Sequence, residues 1–197
     1  MPRPRNQALR DSIADAACSL FHECGYARAS YTLIATRCGI TRALVQYHWP
    51  RKEALAGEAM RRILATVETD AGEHDDGGPG DRPGIGDRPN LGEGRPAGEA
   101  VAVACGFYRA LLSDSGWRRF LLDVLADREL AHRVLPVGVD WMASRMGLDV
   151  RTMDADALDA AVCAMGGFHE LLYRRLREGR YLDVEPFLRR VADELTR

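Results

Sequence analysis

The sequence predicts an all-α protein of about nine helices: a three-helix N-terminal head, a long fourth helix, and a larger helical body. Three observations carry that prediction. Apolar residues recur at the 3.6-residue spacing of helices along most of the chain. No stretch shows the sustained alternation of a half-buried strand. Residues 72–98 hold nine of the 19 glycines and four of the nine prolines, a composition that breaks regular structure.

The first helix is expected from Leu9, Ile13, Ala16, Ala17, Leu20, Phe21 and Cys24, an apolar stripe that Gly25 can end with a positive φ. Ser30 can cap a second, short helix to about Arg37, with Leu33 and Ile34 expected inward. Cys38-Gly39-Ile40 makes a tight connection. Thr41 can cap a third helix, Arg42 to about His48, which Pro50 stops because the residue before a proline leaves the α region. A fourth helix is expected from about Arg51 to Glu68, with Leu55, Ala59, Ile63, Leu64 and Val67 on one face.

In residues 72–98 Ile85 and Leu91 are almost the only large apolar groups. So little apolar surface cannot offset the entropy of ordering the chain, and a flexible connector is expected there. The body, residues 99–197, is helical again. Helices are expected over Ala100 to Leu112, around Trp117 to Leu125, and from Pro136 through Met146. A long helix opens at Thr152 or Asp154, carries Leu158, Ala161, Val162, Met165, Phe168, Leu172 and Leu176, and closes at Gly179. Asp183 is expected to cap the last helix, with Pro186 in its first turn and Phe187, Val191 and Leu195 inward.

The composition is that of a water-soluble globular protein, 46% hydrophobic and 28% charged. No apolar run approaches the ~18 residues that cross a bilayer, and MPRPRNQALR has no apolar stretch behind its basic residues. A cytoplasmic protein without a membrane partner is expected. Five cysteines with no CxxC pair argue against a disulfide framework or a zinc module. Cys18 and His22 stand at i, i+4 with Cys24 nearby, but cysteines on a core-facing stripe are ordinary packing, so no metal is expected. The net charge of −2 is unevenly spread. Residues 1–52 hold seven Arg and one Lys against Asp11, Asp15 and Glu23, a balance of +5, which leaves −7 for the rest. A basic head on an acidic body suits a protein whose one end meets phosphate.

Residues 30–49, SYTLIATRCGITRALVQYHW, have the layout of a helix-turn-helix. A short helix, a Gly-containing turn and a second two-turn helix can lay one exposed face in a major groove. The longer run GYARASYTLIATRCGITRALVQYHWPRKEAL, residues 25–55, resembles the N-terminal domain of the TetR family of transcriptional regulators. Gly25-Tyr26, Ser30, Ile34-Ala35, Gly39-Ile40-Thr41, Val45, Tyr47-His48-Trp49 and Lys52-Glu53-x-Leu55 occupy the family's places without a gap. Ala16-Ala17-x-x-Leu20-Phe21 is also similar to its first helix.

The resemblance implies roles. Ser30 and Thr32 would meet phosphate at a positive helix end. Thr41, Arg42 and Ala43 would begin the recognition helix, Arg42 forking onto guanine and Ala43 touching a thymine methyl. Tyr47 and His48 would reach phosphate or base edges, and Lys52, the chain's single lysine, would clamp phosphate. Three positions depart from the family. Gln46 replaces a usual Tyr, either losing a backbone contact or gaining an adenine reader. Arg51 stands where Ser or Asp caps the fourth helix, and Trp49 replaces Phe as a core plug.

The implied partners are double-stranded operator DNA, an unknown small-molecule effector, and a second copy bound through the last two helices. The apolar stripes on 154–178 and 183–196 could build an intermolecular four-helix bundle. Gly166-Gly167, costly in mid-helix, fits a close crossing with that partner, packing within the chain, or a local kink. The effector pocket is expected among Phe107, Tyr108, Trp117, Trp141, Met142, Met146, Met165, Phe168, His169 and Leu172. No GxSxG, HExxH or Walker pattern is present, so neither catalysis nor a cofactor is expected. Asp123, Asp127 and Glu129 beside several arginines read as surface ion pairs. The alternative to a ligand-released repressor is a protein–protein adaptor that kept the fold and reads no operator.

Overall fold

A computed structural model describes residues 6–73 and 97–196. The connector expected over 72–98 lies outside the described residues except at its ends, where residues 72–73 and 97–98 are helical. The described residues hold ten helices and no strand.

Local chemistry sets the first three. In α1 (Gln7–Cys24) Asn6 accepts from Leu9 N–H at 3.3 Å, and Gly25, at φ 82°, returns its N–H to Phe21. Ser30 caps α2 (Tyr31–Cys38) through Leu33 N–H, and Gly39 ends it in the left-handed region at φ 65°. Thr41 caps α3 (Arg42–His48) through Leu44 N–H at 3.3 Å. Each cap satisfies a backbone donor that the first turn leaves without a partner.

The long α4 (Lys52–Glu73) runs from this head into the body. There follow α5 (Ala97–Ser113), α6 (Ser115–Ala126), α7 (Arg128–Val134), α8 (Pro136–Arg145), α9 (Ala155–Arg177) and α10 (Glu185–Leu195). The sequence did not signal α7. Asp127, expected in a surface ion pair, instead accepts from Leu130 N–H at 3.1 Å and caps that helix, which buries only Leu130 and Val134. Asp183 lies one place outside the cap of α10. Val184 holds the cap position, while Asp183 Oδ1 accepts from Glu185 N–H at 3.2 Å.

Head and body share one core. Phe21 stacks on Phe120 of α6 with centroids 5.4 Å apart and planes 14° apart. Polar ties surround that stack. Ala27 N–H donates to Asp123 Oδ2 at 3.1 Å, Arg119 donates to Glu23 carbonyl at 3.0 Å, and His22 Nε2 lies 2.8 Å from Asp114 Oδ1. Asp123, too, is thus a backbone acceptor rather than a surface ion pair. Gly116 allows this approach, because a Cβ there would lie 2.5 Å from His22 carbonyl. On the other side Arg62 of α4 pairs with Asp15 of α1.

The stripes on α9 and α10 turn inward. Ala161, Met165, Phe168 and Leu172 pack with Leu188, Val191, Ala192 and Leu195 in the protomer's own core. They therefore do not mark a surface for a second copy, since a helix in a two-layer body must first bury its apolar side within the chain. On the outward side of α9, Val162, Cys163, Gly166 and Gly167 are exposed together with the charged Asp159, Glu170 and Arg174.

Candidate nucleic-acid interface and body cavities

On α3, Val45 and His48 turn inward, and Trp49 follows them. Arg42, Ala43, Gln46 and Tyr47, at i, i+1, i+4 and i+5, occupy the opposite side and are exposed. Trp49 is the plug that fixes the helix against α1. Its Nε1–H donates to Arg10 carbonyl at 3.1 Å, and the Arg10 guanidinium lies 4.0 Å above its ring. Arg10 also reaches His48 carbonyl at 3.3 Å. Tyr31 adds a hydrogen bond of 2.8 Å to Trp49 carbonyl. The backbone at the end of α3 is therefore held from two sides.

The exposed surface continues onto α2. Ser30 uses an acceptor lone pair for its cap, which leaves its O–H to donate. Thr32, Thr36 and Thr41 are exposed beside it. Leu33, expected inward, is 45% exposed, because Ile34, Ala35 and the half-buried Cys38 already fill the core side of this eight-residue helix. Leu33 and Thr36 thus join the surface although the sequence reading did not include them. A helix of two turns buries one face, and the positions of Ile34 and Ala35 were the available signal.

Two expected contacts stand differently. His48 is only 3% exposed and packs edge-on to Tyr47, so its side chain cannot reach a groove. Lys52 is half-buried at the start of α4. Its Nζ donates to Tyr26 carbonyl at 2.8 Å and lies 3.9 Å from the centroid of that ring. Desolvation lowers its pKa, with Glu53 and Asp123 pulling the other way. The ammonium has three donors, so this bond leaves others for a phosphate. Among the arginines of the head, Arg37 is forked onto Glu23 at 2.6 and 2.7 Å. Arg28, Arg42 and Arg51 are exposed.

In the body, most of the expected pocket residues are packed core. Phe107, Tyr108, Met142, Phe168 and His169 are buried; Tyr108 meets Phe168 edge-on at 5.0 Å and Phe107 at 5.2 Å. A void of about 20 Å³ lies between Phe107, Tyr108 and His169. Trp117 belongs to the α1 contact, where it meets His22 at 4.8 Å, and Trp141 packs near Phe107 at 6.4 Å. Aromatic side chains at helical spacing fill such gaps for their own packing.

Two larger cavities lie elsewhere in the body. One, of about 550 Å³, has Leu112, Leu122, Leu172 and Leu176 in its wall with Arg109, Arg118 and Arg180. The other, of about 390 Å³, lies among α7, α8 and α9. Of the expected residues, Met165 and His169 line the second and Leu172 the first.

The comparisons with known proteins divide in the same way. Residues 13–59 match the family model described as bacterial regulatory proteins, tetR family. Over 57 residues, 29% of this chain, the sequence is 40% identical to the A-factor receptor protein of Streptomyces griseus; the match spans 21% of that receptor's length. Over nearly the whole chain the fold resembles the crystal structure of the multidrug binding protein EbrR complexed with imidazole. That likeness has a TM-score of 0.53 at 19% identity, covering 99% of this chain and 93% of the other.

Proposed function

We propose that this chain, whose residues 13–59 match the tetR family of bacterial regulatory proteins, is a repressor that grips operator DNA as a homodimer and is released by a small-molecule effector. The observation that carries the proposal is the exposed side of α2 and α3. There Ser30, Thr32, Thr41, Arg42, Ala43, Gln46 and Tyr47 surround a recognition helix held by Trp49 and Arg10. Hydroxyls and the remaining donors of Lys52 suit phosphates, while Arg42 and Gln46 suit guanine and adenine edges.

The proposed dimer meets across the outward face of α9. A Cβ at Gly166 or Gly167 would meet nothing within 4 Å, so packing within the chain does not account for these mid-helix glycines. A partner backbone crossing there would. Release by an effector requires that the ligand favour a spacing of the two heads other than the ~34 Å of successive major grooves. Both α4 and α6 join the head to the body and could carry that difference. EbrR is a multidrug binding protein, and a ligand-responsive body is the analogous reading here.

A second reading, an adaptor without an operator, draws on Lys52 being engaged by Tyr26 and on Gln46 and Arg51 departing from the family pattern. Titration of the full chain with a fluorescent random duplex at about 50 and 200 mM salt separates the two. A DNA-binding head loses affinity steeply as counterions are released, by about 10³-fold for six phosphate contacts. Absence of binding at the lower salt would favour the adaptor.

A further inference from the structure

The larger body cavity lies between the ends of α5 and α9, one side of α6 and the turn that leads into α10. Its volume of about 550 Å³ falls within the ~300–1,000 Å³ of small-molecule sites. Leu112, Leu122, Leu172 and Leu176 make much of its wall apolar. Three guanidiniums, Arg109, Arg118 and Arg180, share that wall with one carboxylate, Asp183, so positive charge is in surplus. Asp183 is already engaged, because its Oδ1 accepts from Glu185 N–H at 3.2 Å. Arg180 meets Glu178 at 3.4 Å. Arg109 and Arg118 are exposed and make no ion pair or hydrogen bond among the described residues.

This cavity turns away from the α9 face assigned to the second copy. Leu172 lies nine residues beyond Cys163, and Leu176 nine beyond Gly167. Nine residues make ~2.5 turns of an α-helix, so the two leucines stand on the side opposite those exposed positions. The cavity is also coupled to the head through α6. Arg118 and Leu122, at i and i+4, share the side of α6 that lines it. The same helix carries Arg119, Phe120 and Asp123, which hold Glu23 carbonyl, Phe21 and Ala27 N–H.

We propose that this cavity binds an amphipathic organic anion, its carboxylate drawn to Arg109 and Arg118 and its apolar body covered by the leucines. The proposal rests on the reading of the body as effector-binding and names the class of effector. A guanidinium fork matches the two oxygens of a carboxylate. A neutral molecule leaves both guanidiniums without a partner, and a small inorganic anion leaves the leucines wet. Binding that pulls on Arg118 and Leu122 bears on the helix that Phe21 stacks against, which gives the ligand a route to the head.

The test uses the full-length protein and four probes: octanoate, octanol, octylammonium and acetate. Titrations followed by NMR should show octanoate binding at least tenfold more tightly than each of the others. Arg109→Gln combined with Arg118→Gln should lower octanoate affinity at least tenfold and leave octanol binding unchanged. In the wild-type protein the methyl signals of Leu112, Leu122, Leu172 and Leu176 should move on adding octanoate, a readout independent of how the variant folds. Equal affinity for octanoate and octanol, no octanoate binding at millimolar concentration, or shifts confined to other leucines would overturn the proposal. Octanoate binding here that leaves duplex affinity unchanged supports the cavity while contradicting release by an effector. Release of the duplex by an uncharged molecule, with octanoate unbound, does the reverse, so the two readings fail separately.

Discussion

Lys52 donates to the carbonyl of Tyr26 at 2.8 Å while standing 3.9 Å from the centroid of the same residue's ring. One side chain thereby ties the start of α4 to the turn that follows α1. Lys52→Met removes the hydrogen bond and the cation–π contact together. A loss of about 1–2 kcal/mol in unfolding free energy is expected from the two. Duplex affinity should fall by a similar factor for every sequence. An unchanged urea midpoint would mean that the lysine holds nothing in the free protein.

Arg42 and His48 face opposite ways and should respond oppositely. Arg42→Ala is exposed, so stability should stay within about 0.5 kcal/mol, while discrimination at one position of each half-site drops by about 1–3 kcal/mol. His48→Ala empties a buried site and should lower the melting temperature without altering which sequences are preferred. Binding arrays run on both variants read this directly. A changed preference in His48→Ala would place its side chain in the groove after all.

Three glycines separate close packing from open surface. Gly116→Ala drives a methyl to within 2.5 Å of His22 carbonyl, and the α1–α6 contact should lose about 1–3 kcal/mol. Gly166→Ala and Gly167→Ala meet open space in the protomer and should each favour helix by about 0.5–1 kcal/mol. If a second copy crosses there, the same two changes weaken the dimer. Sedimentation equilibrium of the double variant should show a raised dissociation constant; an unaltered one would move the interface elsewhere.

The pH dependence of stability follows from His169. Its pKa falls on folding from the ordinary 6.5 to about 4 because burial disfavours the charged ring. The unfolded chain therefore binds the proton more readily, and stability is complete above about pH 6.5. It is lost as pH falls from there towards 4, at up to about 1.4 kcal/mol per pH unit. Asp149, held at about 2 by its hydrogen bonds from Arg151, loses its contribution below that window. Chemical denaturation at pH 7, 6 and 5 should show the decline, and His169→Phe should flatten it.

The parts legible in the sequence were those set by chemistry a few residues long. Ser30, Thr41 and Gly39 gave the ends of α2 and α3 because a cap needs only its own turn. The sides of the helices were harder. His48 and Leu33 exchange their expected positions because a two-turn helix allows several partitions of its faces, and only packing against α1 decides among them. The seven residues of α7 carry two buried anchors, too few for a period to emerge. Phe107, Tyr108 and Phe168 have the composition of a pocket, yet they pack against one another, and sequence does not distinguish the two. The stripes of α9 and α10 were visible, but whether they face their own chain or a partner depends on where α5 and α6 lie.

The central claim, that the exposed side of α2 and α3 reads operator DNA in a symmetric pair, is tested most directly by selecting duplexes from a random pool with the purified full-length protein and sequencing those retained. Two inverted half-sites should emerge, with a preferred guanine contributed by Arg42 and lost when the selection is repeated with Arg42→Ala. A retained pool no different from the input, or one enriched in an unsymmetrical single site, would contradict the account.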